Sequence, residues 1–373
     1  MARALEQVGK LRFIALGTRR GIARVPPERT RLNPLIGLSA YAAAKTMSPF
    51  RAESFRYRLL PWFDRWVRKQ LTPGDHIISG SGLVNDCFKF VRTHGGKALL
   101  EAGNSHIENF AEITSEEHRY WKCPLPSMPP FWYRRARAML DEGVDYVLSP
   151  SSYVTGSFLA RGFRPEQILK VIFPPFDFSL FHPAREPRPK DRPLTLINTG
   201  SLSLRKGTPY LLEAFRIVRR KIPDARLQLR RNIEDSVHHI LPKYRDLPIE
   251  WLPAMPYAQL AEQLRAADIF ILPSLEEGLA RAACEAMACG LPIIVTPHTG
   301  ANDFVQSGIS GEVVPIRNAE AIADAVLKWA DKIFNSNWQP RVLANLEPLS
   351  LDHFERNFIK QIQGVGLATN SLT

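Results

Sequence analysis

Long apolar runs are what this chain has least of. The longest, such as Phe270–Pro273 and Leu291–Thr296, fall far short of the roughly 20 residues that a spanning helix needs. Cysteine is scarce too: 4 in 373 residues, Cys87, Cys123, Cys284 and Cys289, with no Cys-x-x-Cys spacing. That argues against a disulfide scaffold or a thiolate metal site and for buried thiols in a reducing compartment. The first residues, MARALEQVGK, are polar and helical in pattern, without the apolar centre of a signal peptide. The expectation is a cytoplasmic protein. Acidic residues are sparse in one place only. Residues 1–100 hold 18 Lys and Arg against 6 Asp and Glu, and the remainder is balanced at 31 of each, so the net charge of +12 lies in the first quarter. A one-sided basic surface points to an anionic partner, either nucleic acid or an acidic membrane face.

The rest of the composition is that of a globular protein, with 45% hydrophobic and 23% charged residues, and the length suits about two domains. Residues 2–9 read as the tail of a helix, Leu11–Leu16 as a strand and Thr18–Arg31 as a basic loop. Leu59, Trp62, Phe63, Trp66 and Val67 fall on one helical stripe edged by Arg65, Arg68 and Lys69, with Pro61 in its first turn. Such a helix can lie on a membrane or pack on its own sheet. Strands His76–Ser79, Ala98–Ala102, Tyr146–Leu148 and Ile168–Phe173 then alternate with helices Tyr133–Glu142 and Ser152–Arg161. Gly80-Ser-Gly82 opens like a dinucleotide fingerprint, but Asn85 stands where the third glycine belongs.

Pro183–Pro193 (PAREPRPKDRP) reads as a linker, after which the alternation restarts. Strands Leu194–Thr199, Arg226–Leu229 and Glu250–Leu252 and helices Pro209–Lys221 and Tyr257–Ala266 precede DIFILPSLEEGLARAACEAMACGLPIIVTP, Asp268–Pro297. Helix Ala319–Lys332 ends the series. Steady alternation predicts an α/β protein with two doubly wound parallel sheets facing across a cleft. Open sheets of this kind bind ligands beyond the carboxyl ends of their strands.

Three groups stand at that edge. Gly200–Gly207 follows a strand and opens a helix, and Arg205 and Lys206 with the helix N-terminus suit a phosphate. Glu277 lies in a turn and Glu285 eight positions later in a helix. A glycosidase pair needs carboxyls about 5–9.5 Å apart, whereas eight helical residues rise about 12 Å; holding hydroxyls is the simpler task for them. His106 follows a first-domain strand beside Asn104 and Ser105.

Together these residues resemble the retaining glycosyltransferases of family 4, which have the GT-B fold. The resemblance is strongest from Asn198 to Pro315, through SLSLRKGTPYLLEAF, the Glu277–Glu285 block and GISGEVVP, and looser through DYVLSPSSYVTGSFLARGF and VIFPPFDFSLFHP. It implies an N-terminal Rossmann-like acceptor-side domain over 1–187, a C-terminal Rossmann-like donor domain over 188–350, and a final helix, 351–373, packing back toward the first domain. It implies transfer of a sugar from a nucleotide-sugar donor to a glycan or lipid-linked acceptor, in polysaccharide or glycoconjugate synthesis. Glu277 then contacts the donor sugar, Glu285 holds the ribose, and Lys206 neutralises the diphosphate, helped by N–H groups at Gly278, Leu279 and Ala280. His106 lies against the sugar, and Ser201 and Arg205 complete the donor site. No metal or other cofactor is implied. The expected partners are the nucleotide sugar, its acceptor and an anionic inner-membrane face, with nucleic acid set aside.

Four positions depart from the family pattern. Ser201 replaces an Arg, Ala280 replaces a Gly, and Arg230-Arg-Asn232 replaces Gly-x-Gly. The usual first strand with its Gly-Gly loop is missing, which implies a first sheet with open edges. The alternative is therefore a truncated or degenerate GT-B module that binds a nucleotide sugar or partner without catalysis.

Overall fold

Two alternations of strand and helix build two parallel sheets. The computed structural model describes residues 1–16, 26–173, 178–184, 192–335 and 344–367. In the first half the order is α1 (Ala2–Gln7), β1 (Ile14–Leu16), β2 (Thr30–Leu32), α2 (Pro34–Thr46), α3 (Pro49–Arg68), β3 (Ile77–Gly80), α4 (Asn85–Thr93) and β4 (Ala98–Glu101). Then come α5 (Ile107–Tyr120), α6 (Pro130–Glu142), β5 (Tyr146–Ser149), α7 (Ser152–Leu159) and β6 (Ile168–Lys170). The second half runs β7 (Thr195–Asn198), α8 (Thr208–Lys221), β8 (Arg226–Arg230), β9 (Ile249–Leu252), α9 (Tyr257–Ala266), β10 (Ile269–Leu272) and α10 (Arg281–Ala288). It closes with β11 (Ile293–Val295), β12 (Gly311–Val313), α11 (Ala319–Asn335) and α12 (Leu351–Gly364).

The second sheet has the order β12-β11-β10-β7-β8-β9 and is parallel throughout. Its central strands are buried on both faces, which is why TLIN, IFIL and IIV read as continuous apolar runs. One face is covered by α8 and α11, around Phe215 and Trp329. The other is covered by α9 and α10, where Cys284 and Cys289 are core residues. The chain builds outward from β7 through β8 to β9, then crosses back to β10. The switch point therefore lies between the carboxyl ends of β7 and β10, where a ligand crevice forms.

The first sheet is β3-β4-β5-β6, parallel. Helices α3, α4 and α6 cover one face, and α1 and α12 the other, with Phe354, Phe358 and Ile362 against Leu99, Leu148 and Leu169. β1 and β2 form a separate parallel ribbon, so Thr30 and Arg31, expected at the end of a loop, belong to a strand. Among the described residues neither β1 nor β3 has a second partner, and the segment before β1 and the β3 edge flank a cavity of about 560 Å³. Open edges were the expectation. Residues 18–25 of the Thr18–Arg31 loop, 185–191 of the linker and 368–373 of the final segment lie outside the described residues.

Two local expectations are corrected. Pro61 is not in a first turn but inside α3, which starts at Pro49; the missing N–H leaves the Tyr57 carbonyl without its helical donor. The buried stripe of α3 is Tyr57, Leu60, Asp64 and Val67, with Trp62 turned outward at 68% exposure. Asp64 explains both this and the weak glycine fingerprint. Its carboxylate accepts from the N–H groups of Asp86 (2.9 Å) and Cys87 (3.1 Å) and from Arg135 (3.0 Å). The N-terminus of α4, after Gly80-Ser-Gly82, already holds an anion of its own.

Candidate functional site

The loop after β7 and the turn after β10 meet backbone to backbone. Gly207 caps α8 in the left-handed region at φ 69°, and a Cβ there would lie 2.0 Å from the Pro273 carbonyl oxygen. Only glycine fits this position. The Leu275 N–H donates to the Arg205 carbonyl at 2.8 Å, which fixes Arg205 and Lys206 beside the Glu276-Glu277 turn.

There the side chains form one buried ionic cluster. Lys206 Nζ donates to Glu277 Oε1, which also accepts from Ser274 Oγ at 3.1 Å. The Arg205 guanidinium lies 3.3 Å from Glu277 Oε2 and donates to the Glu276 carbonyl oxygen at 2.8 Å. Burial alone would push the Glu277 carboxyl up, but Lys206 and Arg205 hold it below the ordinary carboxylate range. Two cations thus stand against the two carboxylates of Glu276 and Glu277.

Glu276 reaches across the cleft. It is fully buried and accepts from the Ser105 N–H and from Asn104 Nδ2, both at 2.9 Å. Burial raises its carboxyl above the ordinary value, although Arg205 and the Ser105 N–H act the other way. The sequence reading passed over Glu276 for its neighbour. Two adjacent glutamates point to opposite sides of an extended turn, and that was the available signal.

Further contacts hold the halves together. Ser151 Oγ donates to the Gly278 carbonyl at 2.7 Å, and the Ser152 N–H to Asp303 at 2.7 Å. Tyr153 stacks on His298 with ring centroids 4.5 Å apart. A Cβ on Gly278 would lie 2.1 Å from the Gly103 carbonyl oxygen. On the far side, buried Glu117 of α5 accepts from Tyr210 OH (2.8 Å), Arg317 Nε (2.7 Å) and Trp121 Nε1 (2.7 Å). Arg317 adopts positive φ, 58°, to reach it.

The remaining expected residues separate from this cluster. Glu285 is 4% exposed and accepts from Arg281 Nε at 2.9 Å; burial raises its carboxyl, with Arg281 and then Arg230 opposing. Ser201 Oγ donates to Glu234 at 2.6 Å. The Ala280 N–H donates to the Thr299 carbonyl at 2.8 Å, and Leu279 is 9% exposed, so this N–H is engaged rather than turned to the cleft. His106 also stands apart from the cluster. Its Nδ1 accepts from the Glu108 N–H at 3.3 Å as the cap of α5, and its ring packs on Phe158 and Phe163. Burial, with Arg161 and Arg137 nearby, lowers it to about 4. The groups that face the Glu276–Glu277 turn from this loop are Asn104 and Ser105.

Two cavities that share lining residues open beside the cluster, of about 530 and 420 Å³. Tyr57, Asn104, Phe110 and Trp132 line both, and Arg205 and Glu234 line the larger. Lys206, Glu277, Glu285 and His106 line neither.

Residues 193–332 match the family model of the glycosyl transferases group 1. Through this segment the chain is similar to that family, and the matched segment contains the whole Lys206–Glu277 cluster and its switch point. Among similar curated proteins is the amylovoran biosynthesis glycosyltransferase AmsK of Erwinia amylovora, 29% identical over 37% of this chain and 36% of that protein. Another is the GDP-mannose-dependent alpha-(1-6)-phosphatidylinositol monomannoside mannosyltransferase of Mycolicibacterium smegmatis, 29% identical over 52% of this chain and 55% of that protein. The chain thus matches about half or less of the length of these relatives. The solved structure of Anabaena Alr3699/HepE in complex with UDP and glucose superposes with a TM-score of 0.61 at 16% identity, over 82% of each chain. The fold is GT-B, as the sequence implied.

Proposed function

We propose that the chain transfers a sugar from a nucleotide-sugar donor to a glycan or lipid-linked acceptor, with retention and without a metal. The observation that carries this reading is the Arg205–Lys206–Glu277 cluster at the switch point of the group 1 segment. An arriving diphosphate competes with Glu277 for Lys206 and Arg205, which frees the Glu277 carboxylate for hydroxyls of the sugar. Lys206 and Arg205 then stabilise charge as it develops on the departing diphosphate. In this scheme the bond from the anomeric carbon to the phosphate oxygen breaks and the acceptor oxygen bonds the same face. The acceptor proton passes to the phosphate oxygen released. Clamping the substrates between two half-domains supplies orientation and excludes water. The UDP and glucose bound by the Anabaena protein and the GDP-mannose dependence of the mycobacterial relative support a nucleotide-sugar donor.

The test is turnover of UDP- and GDP-sugars by Lys206→Ala and Glu277→Ala. Both should lose roughly two to three orders of magnitude in transfer and donor hydrolysis while remaining folded. Unchanged turnover in both would refute the assignment. A second reading, a GT-B module that binds without chemistry, is favoured by the contact of Gly278 with Gly103, which closes the donor turn on the first half. It predicts a rise in Tm with a nucleotide sugar but no turnover with any acceptor.

A further inference from the structure

Two strand edges of the first half face one another across an apolar gap. Along a parallel strand, successive residues turn their N–H and C=O alternately to the two sides. The Ile77 N–H donates to the Lys97 carbonyl, just before β4, at 3.0 Å, so Ile78 turns its N–H and C=O away from β4. The Leu16 carbonyl accepts from the Asn33 N–H, just after β2, at 2.9 Å, so Ala15 turns its own pair away from β2. Among the described residues neither β1 nor β3 pairs on that side. Ala15 and Ile78 both line the cavity of about 560 Å³.

The gap continues the two core layers of the first sheet. Phe63, Val67 and Val84 border it on the side of α3 and α4, and Leu5, Leu99 and Ile362 on the side of α1 and α12. Ile77 packs with the first group and Ile78 with the second. A chain laid beside β3 in the plane of the sheet would send alternate side chains into the same two apolar layers. β3 itself is only half-buried along its four residues, although a parallel strand between two helical layers is ordinarily enclosed.

Whatever fills such a gap must be polar along both edges and apolar on both faces. A lipid chain or another apolar small molecule would leave the N–H and C=O of Ala15 and Ile78 buried without partners, which is unfavourable. An extended peptide backbone offers donors and acceptors to both edges, the mode by which a strand adds to an open sheet. Glu101 fixes where that strand ends. It stands opposite Gly80 at the carboxyl end of the β3–β4 ladder and lines both this cavity and the one of about 420 Å³ beside the cleft. A strand parallel to β3 would therefore emerge at the cleft, next to a carboxylate that can accept from an N–H or hydroxyl.

We propose that the gap between β1 and β3 binds an extended segment of another polypeptide. The segment has apolar residues over the length of β3, without proline or charge, runs parallel to β3, and places a small residue with a free N–H or hydroxyl beside Glu101. This inference does not depend on the transfer reading.

The experiment uses the whole chain and a short synthetic peptide, Ser-Val-Ile-Val-Ile-Gly-Ser-Lys. A control peptide of the same sequence is N-methylated at both valines, which keeps the side chains and removes the donors of one edge. The unmodified peptide should slow hydrogen exchange of the Ala15 and Ile78 amides by roughly tenfold or more and raise Tm as its concentration rises. The methylated peptide should do neither. Ala15→Pro removes one of the facing donors and leaves the β1–β2 ladder in place; it should bind the peptide roughly tenfold more weakly with its own Tm little changed. Should that variant fail to fold, the two peptides on the wild-type chain still decide. Equal protection by both peptides would overturn the proposal, since the gap would then be an apolar pocket and not a strand site. Protection by neither would overturn it too. So would amides already protected in the chain alone, because the gap would then be filled by this chain or a second copy of it.

Discussion

The two halves solve the same architectural problem with unequal completeness. In the second half, six paired strands lie between two helical layers, and the strands that flank the switch point are fully buried. In the first half, four strands are paired, the edge strand β3 is half-buried along its length, and the β1–β2 ribbon stands apart. The charged cluster sits on the better-packed half, where neighbours fix each side chain and low polarity strengthens each ionic contact. The half that presents Tyr57, Trp132 and the exposed side of α2 offers an open surface instead, apolar in part and rich in basic residues. One side of the cleft is thus fixed and the other open.

The largest expected effect is on the joint between the halves. Glu117→Ala removes the carboxylate that Tyr210, Trp121 and Arg317 share and leaves Arg317 without it. Breaking one partner of a buried pair costs about 3–5 kcal/mol. Calorimetry should show the single unfolding transition of the wild type split into two in the variant. One unshifted transition would mean that the halves do not depend on this contact.

Gly207→Ala should damage the second half alone. The added methyl meets the Pro273 carbonyl, and the left-handed backbone is strained for alanine, together about 3 kcal/mol. In the Glu117→Ala background, denaturant unfolding read by Trp329, fully buried in the second core, should shift, whereas a first-half probe should not. Equal shifts in both probes there would mean that the two cores still unfold as one.

Much of this contrast was legible in the chain. Buried central strands of a parallel sheet announce themselves as apolar runs, so β7, β10 and β11 and the loops after them could be placed, and with them the meeting of Lys206 with Glu277. Residues whose role depends on a distant partner could not. Asp64 lies on a helix whose buried side cannot be told from its sequence until the bonds to Asp86 and Cys87 are seen. Glu117 sits in the polar sequence SEEHRYW and becomes the joint only because Tyr210 and Arg317 come from the other half. The α5 helix itself was passed over because IENFAEITSEEHRY carries too few apolar residues for a clear period. β12 was missed for a similar reason, since an edge strand of three residues, GEV, needs no apolar run.

Smaller effects should appear as opposite responses to acid. His106 is held neutral: its value falls from 6.5 to about 4 on folding. The unfolded chain therefore binds more protons across that window, and His106 makes the protein less stable as pH drops from about 6.5 to 4, by at most roughly 1.4 kcal/mol per unit. His106→Asn keeps a capping acceptor and removes the titration. Its stability should stay flat where the wild type declines, as urea midpoints taken across that range would show.

Glu276 works in the other direction and should give the smallest change. Its folded value lies above the ordinary 4.5, so the native state takes up a proton first and gains stability as pH falls through that folded value, a gain complete below about 4.5 and absent above the folded value. Glu276→Gln keeps the shape and an oxygen for Ser105 and Asn104, and removes the charge whose burial is unfavourable. At pH 7 its midpoint should lie within about 1 kcal/mol of wild type, and its acid gain should be missing. If Glu276→Gln instead opened the cleft, seen as exchange of the Ser105 amide, then the bond across the cleft rather than the charge would be what Glu276 contributes. The two halves would in that case be closed by the Glu276–Glu277 turn itself.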